Sequence, residues 1–159
     1  MSTIENMIIL GAHGRVGQYL IKLVAKSNIK ARTSALKGHD AVILAVGSGG
    51  KNLLQVDLDG YVEVFEANSR SKYTTQTVFL IDEVERKLDY TIVKPTWLTD
   101  ESPTGKIKVL KGIIEDPGTV TRADVAQVLF DVLNFKDTFG KSFDIANGDK
   151  SSNDPRTYQ

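Results

Sequence analysis

The sequence predicts a single α/β domain of the doubly wound type, a parallel sheet with helices on both faces. Three observations predict it. Two apolar runs, Met7-Ile8-Ile9-Leu10 and Ala41-Val42-Ile43-Leu44-Ala45-Val46, show no polar alternation; such runs suit strands buried on both faces. Strand-like runs alternate along the chain with segments of helical periodicity, the order that builds a parallel sheet. The chain has 159 residues, 41% hydrophobic and 25% charged, which is the size and make-up of one globular core.

Each element follows from its own pattern. Residues 6–10 form a first strand that ends at Gly11. Val16, Tyr19, Leu20, Leu23 and Val24 recur at spacings of three and four and predict a helix over residues 15–27. Residues 29–32 suit a short second strand. Residues 40–46 predict a strong strand, closed by Gly47-Ser48-Gly49-Gly50. Leu53, Val56, Val62 and Phe65 mark a helix over 52–68, and Val78, Ile81 and Val84 another over 74–87. Residues 90–93 are a strand stopped by Pro95. Thr121 with Asp124 three residues on resembles a capping box, and Val125, Val128, Leu129, Val132 and Leu133 give the stripe of a helix over 121–135. Residues 142–146 make a last strand before the turn Asn147-Gly148. The domain therefore spans 1–150, and residues 151–159 are expected to be a polar, mobile tail.

Composition removes several classes of function. Formal net charge is zero, so nothing in the charge balance favours nucleic acid or an anionic membrane as partner. Cysteine is absent, which excludes disulfides, thiolate nucleophiles and cysteine-based metal sites. His13 and His39 stand in no metal-ligand spacing, so no metal is expected. The N-terminal residues lack the basic region and apolar length of a signal peptide. These features predict a cytoplasmic protein, monomer or homodimer, acting on a small molecule.

The most informative stretch is Gly11-Ala12-His13-Gly14-Arg15-Val16-Gly17, a GxxGxxG spacing between a buried strand and an amphipathic helix. That context gives a glycine motif its meaning. Gly11 permits a tight exit from the strand, Gly14 a close approach of backbone to pyrophosphate, and Gly17 close packing of the helix. The helix N-terminus then offers N–H groups and a positive dipole to the phosphates. The expected ligand is a dinucleotide.

Other blocks carry a family resemblance. The GxxGxxG spacing, Asp40–Gly47, Leu88-Asp89-Tyr90-Thr91-Ile92-Val93-Lys94-Pro95, Thr121-Arg122-Ala123-Asp124-Val125-Ala126 and Phe143-Asp144-Ile145-Ala146-Asn147-Gly148-Asp149 occur in family order. Together they resemble the atypical short-chain dehydrogenase/reductase superfamily, in particular its small NmrA-like and biliverdin/flavin reductase-like NAD(P)-binding members. The resemblance implies a Rossmann-type fold. It implies cofactor contacts from Gly11, Ala12, His13, Gly14, Arg15, Val16 and Gly17, and from Arg32, Val46, Gly47, Ser48, Gly49 and Pro95. Arg32, after the second strand, and Arg15 are placed for the 2′-phosphate of NADP, and no carboxylate stands there for a ribose 2′-hydroxyl. NADP is favoured, with NAD possible. Both arginines are equally at home as solvated surface residues.

The superfamily's Tyr-x-x-x-Lys proton-donor pair is incomplete. Tyr73 is the candidate catalytic tyrosine, but Thr77 stands where Lys is expected; an amphipathic tyrosine at a helix start is the other reading. Arg122 is expected to order its helix entry. Trp97 suits either the wall of a substrate pocket or a plug in the core. The implied function is hydride transfer from NAD(P)H to a small aromatic or flavin-like acceptor, which needs orientation more than a strong protein acid. The alternative is an NmrA-like sensor that binds NAD(P) without turnover. An epimerase or dehydratase would need the Tyr-Lys pair. Two strands of the family pattern find no counterpart in the run of residues, one after residue 32 and a central one between the helices at 52–68 and 74–87, so the chain is expected to lack those segments.

Overall fold

The computed structural model describes residues 4–32, 40–45, 72–75, 89–112 and 114–159. Ten strands lie among them: β1 (Asn6–Leu10), β2 (Lys30–Arg32), β3 (Ala41–Leu44), β4 (Lys72–Thr75), β5 (Tyr90–Pro95), β6 (Trp97–Thr99), β7 (Lys106–Leu110), β8 (Thr119–Thr121), β9 (Lys141–Asn147) and β10 (Lys150–Ser151). The described α-helices are α1 (Arg15–Ala25) and α2 (Arg122–Asp131). Eight strands form one sheet in the order β10-β7-β9-β5-β4-β3-β1-β2. From β2 to β9 neighbouring strands are parallel, whereas β7 runs antiparallel to β9 and β10 to β7. Strands β6 and β8 pair separately. This is the doubly wound, Rossmann-type α/β fold.

The apolar runs explain the middle of the sheet. Met7, Ile8 and Ile9 on β1 and all four residues of β3 are buried. Covering each large aliphatic side chain stabilises the fold by about 1.5–3 kcal/mol. Val16, Leu20 and Val24 of α1 and Val125, Val128 and Leu129 of α2 join the same core, and the two helices pack against each other.

The winding reverses at β1. The chain passes from β1 to β2 on one side and returns to β3 on the other. Parallel sheets of this kind bind ligands beyond the carboxyl ends of the strands at that reversal. Here the ends are joined by the Ala45 N–H, which donates to Leu10 O at 2.9 Å.

Several expectations are corrected. Residues 74 and 75 do not begin a helix; they close β4, which stands between β3 and β5. The central strand expected to be lacking is therefore supplied by Lys72–Thr75, which pairs with strands on both sides and leaves no gap in the ladder. Residues 33–39, 46–71 and 76–88, which carry the other proposed junction and most of the two middle helices, lie outside the described residues. The final helix is α-helical only to Asp131 and tightens to a 3₁₀ turn over Val132–Asn134. The tail expected to be mobile is folded down. Asp154 caps a 3₁₀ turn over Pro155–Tyr158, and Tyr158 is buried against Phe135 and Phe143. Its hydroxyl donates to Ser152 O at 2.8 Å. The polar composition concealed one aromatic anchor.

Candidate functional site

The glycine turn lies at the reversal point. Gly11 leaves β1 with φ 85°, a left-handed conformation that glycine adopts without steric cost. The turn closes when the Gly14 N–H donates to Gly11 O at 2.9 Å. Gly14 is the N-cap of α1. No side chain caps that end, and no acid lies in the first turn. A free helix end of this kind is unsatisfied and positive, and it favours an anion. A Cβ at Gly14 would lie 3.2 Å from Gly11 O and 3.7 Å from Ala45 O, the backbone of the two strand ends. At Gly17 it would lie 2.1 Å from Gly11 O and 2.8 Å from Ala12 Cα. The turn and helix thus pack backbone against backbone. These features fit a dinucleotide pyrophosphate.

The remaining residues of the turn divide by burial. Ala12 and Val16 are buried, so their side chains serve the core and only their backbone faces the turn. His13 is exposed, and its carbonyl accepts from Gln18 Nε2 at 3.2 Å. Arg15 is exposed and pairs with Asp100 at 3.1 Å. Arg32 closes β2, but its side chain is outside the described features, as are Val46, Gly47, Ser48 and Gly49. Tyr73 sits on β4, in register with Val42 and Tyr90. A helical spacing of four has no meaning on a strand, so Tyr73 does not fill the Tyr-x-x-x-Lys role that the sequence suggested for it.

A second feature lies at the carboxyl end of β5. Pro95, Thr96, Trp97, Leu98 and Arg122 line a cavity of about 540 Å³, within the range of small-molecule sites. Trp97 is 77% exposed, which excludes the core plug among its two expected roles. Arg122, the first residue of α2, is buried and pairs with Asp100 at 2.8 Å.

Sequence reasoning missed Asp100, which pairs with both arginines. It also misassigned Asp124. Thr121 Oγ1 caps α2 by accepting from the Asp124 N–H at 3.0 Å. The Asp124 carboxylate, however, turns to the Thr104 N–H, the Thr104 hydroxyl, the Gly105 N–H and the Thr121 hydroxyl, at 2.8–3.1 Å. It pins the segment after β6 rather than completing a capping box. The apolar patterns that guided the reading carry no sign of either contact. Among the described residues, no three His, Asp or Glu side chains are grouped to hold a metal, and no helix is long and apolar enough to cross a membrane.

Comparison with known proteins agrees with this geometry. Residues 80–136 match the NAD(P)H-binding family. A Bacillus subtilis protein described as an uncharacterized sugar epimerase, YhfK, is 26% identical over 204 residues, covering 90% of this chain and 94% of its own. That alignment is longer than this whole chain, so the relative carries segments without counterparts here. A solved Bacillus halodurans structure described as an NAD-dependent epimerase/dehydratase is 24% identical, with a TM-score of 0.74 over 94% of this chain and 97% of that one. The Lactococcus lactis oxidoreductase YlbE is 26% identical, with a TM-score of 0.73 over 92% and 93%.

Proposed function

We propose that the chain is an NAD(P)-binding reductase passing hydride from NAD(P)H, with NADPH preferred, to a small aromatic or flavin-like acceptor. The observation that carries this reading is the uncapped, acid-free N-terminus of α1 on Gly14, at the reversal between β1 and β3, at the same carboxyl end of the parallel strands as the Trp97 cavity. Bound at the turn, the cofactor would supply the hydride. The chain's part is to hold the phosphates on the backbone N–H groups of α1 and to offer Trp97 as a flat wall. Such chemistry asks the protein for orientation and exclusion of water.

The description of YhfK as a sugar epimerase raises a second reading. Epimerisation needs a tyrosine acid held by lysine, and Tyr73 on β4 does not provide the helical pair. A sensor that binds NAD(P) without turnover shares the glycine turn but has no need of an open aromatic cavity. Incubation with NADPH and a panel of flavins and quinones separates these readings. Oxidation of NADPH that depends on Trp97 supports the reductase, and tight binding without oxidation refutes it. The cofactor site has its own test. Gly14→Val should abolish NADPH binding by calorimetry, and unchanged affinity would refute the assignment.

A further inference from the structure

The cavity beside Trp97 contains a charge that hydride transfer itself does not use. Arg122 is 8% exposed, yet it lines the cavity with Pro95, Thr96, Trp97 and Leu98. Its Nη1 lies 2.8 Å from Asp100 Oδ1, a charge-assisted contact with a carboxylate that is itself largely exposed. Asp100 is 58% exposed, and its other oxygen is held by Arg15 at 3.1 Å. The Thr96 hydroxyl oxygen is buried without a hydrogen-bond partner. A buried polar atom left unpaired is costly. Around these polar groups the walls are flat and apolar: an exposed indole, a proline and a leucine.

We propose that this cavity is the subsite for a planar aromatic acceptor bearing a carboxylate. The ring stacks on Trp97, and Arg122 takes the carboxylate. Asp100 is the internal stand-in. Its carboxylate occupies the Arg122 guanidinium until an external one displaces it, and Arg15 then retains it at the mouth of the glycine turn. The identity of the ligand as acceptor rests on the reductase reading; its binding does not.

The test is calorimetry without cofactor, comparing 2-naphthoate with the neutral 2-naphthamide. The carboxylate should bind about tenfold tighter or more, the effect of one charge-assisted contact. Asp100→Asn, at an exposed position, should tighten 2-naphthoate several-fold and leave 2-naphthamide unchanged, because only the anion competes with Asp100. Arg122→Gln should erase the preference for the anion. Should that variant not fold, Arg122→Lys, which keeps the charge but loses the fork, should reduce the preference. Equal binding of the two probes, or no tightening in Asp100→Asn, overturns the proposal. Displacement of 2-naphthoate by NADP would assign Arg122 to a cofactor phosphate and overturn it also. Turnover plays no part in this titration, so inactivity with intact 2-naphthoate binding counts against the reductase reading alone.

Discussion

Gly17→Ala sets two physical effects against each other, and the structure decides between them. Gly17 lies inside α1, where alanine is favoured over glycine by roughly 0.8–1 kcal/mol. Propensity alone therefore expects a more stable protein. The added Cβ, however, would stand 2.1 Å from Gly11 O and 2.8 Å from both Ala12 Cα and the Gly11 carbonyl carbon. An ordinary carbon–oxygen approach is about 3.3 Å or more. All three obstacles are backbone and cannot rotate aside, so α1 must move outward by more than an ångström. That motion drags Val16, Leu20 and Val24 from the core they share with β1 and β3. Forced expansion of a packed core costs about 1–3 kcal/mol, occasionally more, and a contact this short belongs at the upper end. The net expectation is a loss of about 2 kcal/mol, or a Tm lower by roughly 4–8 °C for a domain of this size. Gly14→Ala is the matched control. Its Cβ meets Gly11 O at 3.2 Å, and the residue's φ of −68° and ψ of 160° are open to any L-amino acid. It should stay within about 0.5 kcal/mol of wild type. Urea denaturation of the cofactor-free proteins measures both. A Gly17→Ala protein as stable as wild type, or more so, would refute the steric argument.

The other expectations concern charge and the C-terminal segment. NADP should bind more tightly than NAD, and Arg15→Gln should narrow the difference by about 1.5–3 kcal/mol if its guanidinium meets the 2′-phosphate; equal dissociation constants for the two cofactors in wild type would refute this. Burial pushes the Asp131 carboxyl above the usual carboxylate range, against the hydrogen bonds from Gln127 and Ser152. A raised folded value adds stability at low pH that is lost as pH rises through it. Asp131→Asn should therefore gain stability relative to wild type as pH rises above the ordinary carboxylate value of about 4, and a difference independent of pH in paired urea titrations would contradict it. Tyr158→Ala should cost about 3–5 kcal/mol, as for a buried aromatic, whereas a tail loose in solution would make it silent in the same assay.

The legible parts of the fold are those that write themselves in apolar period. The unbroken runs of β1 and β3 announce burial on both faces, and the stripes of α1 and α2 announce their inward sides. The glycine turn was legible because each glycine answers a local steric demand. β4 was not. Lys72-Tyr73-Thr74-Thr75 is mostly polar, and its place in the sheet comes from pairing with β3 and β5, a long-range gain that local pattern does not encode. The stretch from Trp97 to Thr121 was hidden for a related reason. Its short strands pair in a small separate sheet or antiparallel at the sheet's far side, outside the alternation that guided the reading. Tyr158 misled because one aromatic among nine polar-looking residues has no period to detect.

Two aspartates that no periodicity exposes, Asp100 and Asp124, organise the segment after β6. Asp124 is 1% exposed, and a carboxylate so far from water is tolerable only when hydrogen-bond donors replace its hydration. Thr104, Gly105 and Thr121 provide them. The consequence is mechanical: the chain after β6 is fastened to the first turn of α2, and Asp100 sits at the near end of that fastened stretch. From there its two oxygens reach Arg122, in the wall of the Trp97 cavity, and Arg15, on the first turn of α1. Exposed ion pairs of this sort contribute little to stability, so the Arg15 contact gains its significance from position. It is a direct polar link between the glycine turn and the Trp97 cavity.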